Sequence, residues 1–315
     1  MILKMARQYG SRLHYWSFIL NGHILNPFWH DRVKRRTRRN YYNYKRVAAY
    51  LRKYLPFIDS LKVEKDNSKD TWEEKIFSIW WQGEENAPKI VKICFERLRN
   101  LYKEKFIVLD DSNIRQWVKL PDFVWEKWEK GQILRANMSD ICRIALLLQH
   151  GGMWFDATDY LTSEVPEWIE KCDVFLYIAG ERFTPEKFVQ ICFIRGKKNN
   201  PLLKLWLDFI LKYWEEEDFI IDYFLHQFML RFLVENNKEV AELFYSMPQV
   251  SQTPTHLLWH LHKNDNYSET LYQDCTKDTF FQKTCHKASE ATFPKEGSVA
   301  DYIVNKKIPE TTSRR

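Results

Sequence analysis

An α/β fold is the class this sequence predicts: a largely parallel sheet flanked by helices, with a basic helical arm before it and a helical part after it. Three observations carry that expectation. Apolar runs of strand length alternate with a run of helical period between residues 75 and 111. A glycine pair, Gly151–Gly152, leads from a helix-type run straight into another strand-type run. Hydrophobic residues make up 45% of the 315 and aromatics 16%, too apolar for a disordered chain and enough to bury a substantial core.

The elements follow in order. KIFSIWWQG (75–83) is short, apolar and closed by a glycine, as a buried strand is. APKIVKICFERLRNLY (87–102) has Pro88 near its start and Ile90, Ile93 and Leu98 at helical spacing. KFIVLDD (105–111) is a second buried strand that ends in acids. Strand, helix and strand at such intervals place a site at the strand C-termini. DFVWEKWEKGQI is a short amphipathic helix closed by Gly131, and residues 173–179 and 189–195 read as further strands. From Pro201 to Phe244 the chain is helical, with an acidic break near Glu215–Asp218 and a polar one near Asn236–Asn237. The polar stretch DSLKVEKDNSKDTWEE reads as a linker or surface loop, and PETTSRR as a disordered end. The expected organisation is a basic aromatic arm over 1–60, a main domain over 75–290 and a tail over 291–315.

The six cysteines, Cys94, Cys142, Cys172, Cys192, Cys275 and Cys285, are scattered without a C-x-x-C pair. That pattern suits a reducing compartment and lacks the close ligand spacing of a zinc cluster. No run approaches the ~20 apolar residues of a membrane span, and the N-terminus has no signal-peptide pattern. A cytoplasmic or peripheral chain is the expectation.

Charge is unevenly spread. Residues 1–55 hold 13 Lys and Arg against the single acid Asp31, so the overall +6 hides a basic arm on an acidic body. Bases interleaved with Tyr and Trp suit an anionic membrane surface, and also a nucleic-acid backbone. A basic helix packed on the body is the third reading. The net acidic body counts against nucleic acid as the partner.

SDICRIALLLQHGGMWFDATD (139–159) carries the chemistry. Ser139 reads as a helix N-cap with Asp140 in the first turn, and Asp140 and Arg143 share a face. Ile141, Ile144, Ala145, Leu147 and Leu148 bury that helix. The glycine pair turns the chain into MWFDAT, an apolar strand whose acids, Asp156 and Asp159, must find a cation, a donor or solvent. Both ends of the segment are expected at one site.

FSIWWQGEENAPKIVK, FIVLDDSNI, LPDFVWEKWEKGQI and SDICRIALLLQHGGMWFDAT, in this order and spacing, resemble the bacterial capsular polysaccharide synthesis proteins. Those are similar to sugar transferases of the yeast mannosyltransferase and clostridial glucosylating toxin type. The resemblance is strong over residues 75–170 and weaker to about 290. It rests on S-D-x-x-R followed by G-G-x-W-x-D-A-T, a specific signature when both halves occur together.

The resemblance implies a GT-A-type, Rossmann-like sheet and a retaining glycosyltransferase using a nucleotide-sugar donor of the UDP-sugar kind. It implies that Asp140 and Arg143 hold the donor sugar and that Asp156, first acid of the D-x-D motif, contacts sugar, ribose or a manganese or magnesium ion. Trp80 or Trp81 would stack on the base, with one expected in the core and the other in the site. Asp110 falls near a base- or ribose-contacting position. The implied acceptor is a lipid-linked saccharide at the inner face of the plasma membrane.

One departure stands out. The second acid of the motif is displaced from 158 to Asp159, and strand alternation would turn Asp159 away from Asp156. The metal would then bind through Asp159 on a turned backbone or be replaced by other cations, for which Lys283, His286 and Lys287 are the candidates. Asp222 and His226, four apart, read as a helical pair, with Asp222 kept as an acceptor-side residue. His256, His260 and His262 lack the carboxylate spacing of a zinc site and read as structural. The competing class is a non-catalytic scaffold, suggested by the altered motif.

Overall fold

The strand-type runs form a five-stranded mixed sheet in the computed structural model, which describes residues 43–63, 75–180 and 188–308. The strands are β1 (Lys75–Ile79), β2 (Phe106–Leu109), β3 (Gly152–Phe155), β5 (Val174–Ile178) and β6 (Val189–Gly196), in the spatial order β2-β1-β3-β6-β5. A separate antiparallel pair joins β4 (Asp159–Leu161) to β7 (Phe281–Lys283). β1 runs parallel to β2 and β3, as the alternation predicts, because helices α3 (Lys89–Tyr102) and α5 (Arg135–His150) supply the crossovers. β6 instead runs antiparallel to both its neighbours. The link from β5 to β6 is too short to hold a crossover helix, so it returns the chain directly.

Successive residues of a strand face opposite sides, and that sorts the core into two layers. Phe77 and Trp154 point to α5, α6 (Pro201–Glu216) and α7 (Leu225–Asn236); Ile76, Met153 and Phe155 point to α3 and α10 (Val299–Val304). The predicted breaks in the long helical run end α6 at Glu216 and separate α7 from α8 (Lys238–Ser246). Asn200 caps α6 by accepting from the N–H groups of Leu202 and Leu203, and Asn237 caps α8 through Val240.

Gly151 and Gly152 both take positive φ, 69° and 105°. A Cβ on Gly152 would lie 1.9 Å from the Lys75 carbonyl oxygen, so the close pairing of β3 with β1 requires glycine there.

Three expectations change. α5 begins at Arg135, so Ser139 is not a cap; its Oγ donates to the Arg135 carbonyl at 2.9 Å, a bond available only inside a helix. Residues 43–51 form α1, followed by α2 (Leu55–Ser60), and Tyr44, Val47, Leu51, Tyr54 and Ile58 are buried in the same core as α6 and α7. Residues 43–60 of the arm are thus packed, basic helical segments and part of the body. At the other end, α10 buries Val299, Ala300 and Ile303 beyond the expected boundary at 290. The aromatic stretch before residue 43, most of the polar linker and PETTSRR lie outside the described residues.

Candidate active site

Arg143 joins the two ends of the glycine-turn segment. Its Nη2 lies 3.0 Å from Asp140 Oδ1, one turn back on α5, and its Nη1 lies 3.1 Å from Asp156 Oδ1, just past β3. Nη1 also donates to the Ile191 carbonyl on β6, and the guanidinium lies over the Trp154 ring at 5.0 Å. Trp154 Nε1–H donates to the same Asp156 oxygen at 3.0 Å. A planar fork with several fixed donors holds two carboxylates at a set separation, which a flexible ammonium would not do.

Asp156 and Asp159 meet again on Lys283. β3 ends at Phe155 and the chain turns, so strand alternation no longer applies and the expectation that the two acids face apart is corrected. The Asp156 N–H donates to Asp159 Oδ2 at 3.1 Å. Asp159 sits opposite Lys283 in the β4–β7 register. The ammonium lies 2.7 Å from Asp156 Oδ2 and 3.0 Å from Asp159 Oδ1, the second contact outside hydrogen-bond alignment.

Burial opposes ionisation of Asp156, but Arg143 and Lys283 outweigh it and hold its pKa below the usual carboxylate range. Burial pushes Asp159 up to about 7, with Lys283 pulling back and Asp156 adding to the push. Burial also opposes the charge on Lys283, and the two carboxylates overcome it and raise its pKa.

These acids do not fit a divalent cation. Such an ion takes several oxygen ligands. Here both Asp156 oxygens are engaged by Arg143, Trp154 and Lys283, and Asp159 faces the same ammonium. Among the described residues no three His, Cys, Asp or Glu side chains group as the ligands of an all-protein metal site. At Asp156 and Asp159, where a manganese or magnesium ion and replacement by another cation such as Lys283 are the expected alternatives, the structure places the Lys283 ammonium.

Asp140, Arg143 and Asp156 line an open cavity of about 610 Å³, together with Trp80, Trp81, Arg135, His286 and Lys287. Trp81 is buried in the core and reaches the cavity at its edge, donating from Nε1 to Ser139 Oγ at 2.8 Å and lying against Trp128. Trp80 is half-buried, with its ring edge-on to His286 at 5.1 Å and its Nε1 without a partner among the described residues. The expected division thus places Trp81 in the core and Trp80 at the cavity, although both touch it. Burial, then Lys287 and Lys283, lower the His286 pKa, so the ring is neutral at pH 7. Lys283 is not part of the cavity lining and sits behind Asp156.

Two expected residues, Asp110 and Asp222, are not among those that line the cavity. Asp110 Oδ1 accepts from the N–H groups of Ser112 and Asn113 and closes the turn after β2. Asp222 precedes α7, pairs with Arg46 of α1 at 3.2 Å and accepts from the Phe224 N–H. It does not meet His226. The buried His226 instead places Nδ1 3.3 Å from Asp140 Oδ2, a contact across 86 positions that no local spacing announces. His256 and His260 stack on each other at 5.0 Å, a packing arrangement. All six cysteines are free, as the scattered spacing predicts.

The family comparison agrees with the signature. A family model described as capsular polysaccharide synthesis protein matches residues 26–303. The chain belongs to that family. Its match to the capsular polysaccharide synthesis family begins inside the basic arm and runs into α10, wider than the 75–290 over which the motifs are legible. A curated relative, O-glycosyltransferase braB of Annulohypoxylon truncatum, is 25% identical over 162 residues, covering 46% of this chain and 38% of its own length. The chain thus spans well under half of that relative. A solved structure, the PaToxG glycosyltransferase, aligns over 66% of this chain and 84% of its own with 13% identity and a TM-score of 0.35. No helix among the described residues is long and apolar enough to cross a membrane.

Proposed function

We propose that this family member is a GT-A-type glycosyltransferase that moves a sugar from a nucleoside-diphosphate sugar, of the UDP-sugar kind, to a growing capsular or cell-surface saccharide. The observation that carries the reading is the Asp140–Arg143–Asp156 chain of ion pairs in the lining of a cavity that Trp80 also lines. Asp140 Oδ1 and Oδ2 and Asp156 Oδ2 each accept one contact and keep a lone pair for a sugar hydroxyl, and an indole face accepts a base by stacking.

In the reaction the bond from the anomeric carbon to the diphosphate oxygen breaks and a bond to the acceptor oxygen forms. The acceptor's proton passes to the departing phosphate oxygen, so no protein nucleophile is needed and the anomeric configuration is retained. Asp140 and Asp156 orient the donor sugar, Arg143 fixes both, and cations at the cavity stabilise the charge that develops on the diphosphate. A lipid-linked acceptor at the inner membrane face accords with the basic residues of the arm.

The test is nucleoside diphosphate release from a panel of nucleotide sugars by the full chain and by Asp156→Asn. The variant should lose roughly a hundredfold or more of its turnover, the scale of removing one preorganised electrostatic group. Undiminished release would remove Asp156 from the donor site. The scaffold reading draws on the lysine bridge that occupies the altered motif, and it predicts that no nucleotide sugar is turned over.

A further inference from the structure

The charges around the cavity point to how a diphosphate is held, an inference that rests on the donor reading above. We infer that the donor's diphosphate binds without a divalent cation, gripped at the cavity rim by Arg135 and Lys287 while Lys283 holds the acids of the D-A-T-D motif from behind.

Three observations converge. The cavity lining carries three permanent cations, Arg135, Arg143 and Lys287, against two carboxylates, Asp140 and Asp156. A nucleotide-borne divalent cation is held by one or two carboxylates free to ligate it, and here both carboxylates are already ion-paired and bases outnumber acids. The two carboxylates and Arg143 satisfy one another, which leaves Arg135 and Lys287. Both are exposed, and among the described residues neither side chain has an ion pair. A diphosphate entering here meets cations that need not abandon an existing partner.

Lys283 explains why the motif acids do not counteract this. Its ammonium spans Asp156 and Asp159 from outside the lining, so the turn after β3 presents no unpaired carboxylate pair to repel phosphate. Helix α5 adds to the same rim. Its first residues, Arg135 and Ala136, line the cavity, and the positive end of a 16-residue helix favours an anion there. In the same lining, the neutral His286 beside Lys287 packs against Trp80, so the base-stacking surface and the phosphate grip adjoin. As the glycosyl bond breaks, the charge gained by the diphosphate oxygen is met by a guanidinium and an ammonium that are already in place.

Calorimetric titration of the full chain with UDP, GDP, ADP and CDP, in EDTA and then in manganese, tests this. The nucleoside diphosphate that binds should do so with an affinity that differs by no more than about twofold between the two buffers. Arg135→Ala and Lys287→Ala should each weaken it about tenfold, the scale of one charge-assisted hydrogen bond, while the affinity for the corresponding nucleoside stays unchanged. Both side chains are exposed, so thermal melts of the variants should match the parent. Binding that appears only with manganese overturns the inference and leaves the donor reading standing. Variants that bind the diphosphate as the parent does overturn it too. Failure of every nucleoside diphosphate in both buffers overturns the donor reading, and this inference with it.

Discussion

His226 Nδ1 lies 3.3 Å from Asp140 Oδ2, and the far side of the same ring decides which proton it carries. Trp214 Nε1–H, which can only donate, meets His226 Nε2 at 3.2 Å. Nε2 is therefore the acceptor, and the neutral ring donates from Nδ1 to Asp140. The imidazole orients a carboxylate whose other oxygen is held by Arg143.

His226→Leu should therefore act at a distance from the cavity. It leaves the Trp214 N–H and Asp140 Oδ2 short of a partner, at about 1–3 kcal/mol for each buried group left unpaired. Urea denaturation reads the stability loss. His226→Gln, whose amide can still donate to Asp140, should recover donor affinity that the Leu variant loses; equal affinities would reduce His226 to packing alone.

Gly152→Ala should be among the most damaging single changes. The added methyl meets the Lys75 carbonyl at 1.9 Å and the φ of 105° is strained for any side chain. Relief requires β3 to move off β1, which displaces Asp156 with it. A cost above about 3 kcal/mol follows from overpacking and backbone strain together. Circular-dichroism melts of the variant should show the loss, and donor turnover should fall even where the fold survives.

The turn after β3 should make stability depend on pH. The folded-state pKa of Asp159 lies near 7 against an ordinary 3.8, so between those values the folded chain holds a proton the unfolded chain has released. That contribution is complete below 3.8 and is lost as pH rises through about 7. Asp156, held low, stays ionised across the window. Asp159→Asn cannot ionise, so its melting temperature should fall less than the parent's over the same rise. Parallel curves for the two would contradict the assignment.

The N-terminal boundary also has a sharp test. A deletion through residue 55 removes Tyr44, Val47, Leu51 and Tyr54, all buried. At about 1.5–3 kcal/mol for each buried side chain, that loss is comparable with the whole stability of a typical domain. The product should fail to unfold cooperatively. A chain beginning at residue 43 keeps these side chains and should show a cooperative melt, and it is the proper form in which to measure loss of binding to anionic vesicles.

The sequence carries the site as far as local pattern reaches. Asp140 with Arg143 is legible because helical period puts them on one face, and the glycine pair because it alone permits the turn into β3. Register supplies what pattern cannot. Lys283 meets Asp159 through the pairing of β4 with β7, more than a hundred positions apart, and His226 meets Asp140 across the α5–α7 contact. Asp222 misled for the same reason: its spacing to His226 suggested a helical pair, but α7 begins only at Leu225 and Arg46 takes the carboxylate. Ser139 looked like a cap because the helix signal upstream of it, from Arg135 to Met138, is weak in apolar residues apart from the buried Met138. Arg135 carried no signal at all, since a lone arginine at a helix start is ordinary until the cavity beside it is seen.

The most direct test of the donor site is calorimetric titration of a nucleotide-sugar panel into the full chain and into Asp140→Asn. The account predicts that one nucleotide sugar binds the parent, that the variant binds it about tenfold or more weakly, and that both bind the matching nucleoside diphosphate alike, because Asp140 acts on the sugar. No binding by any nucleotide sugar, or a variant indistinguishable from the parent, would contradict it.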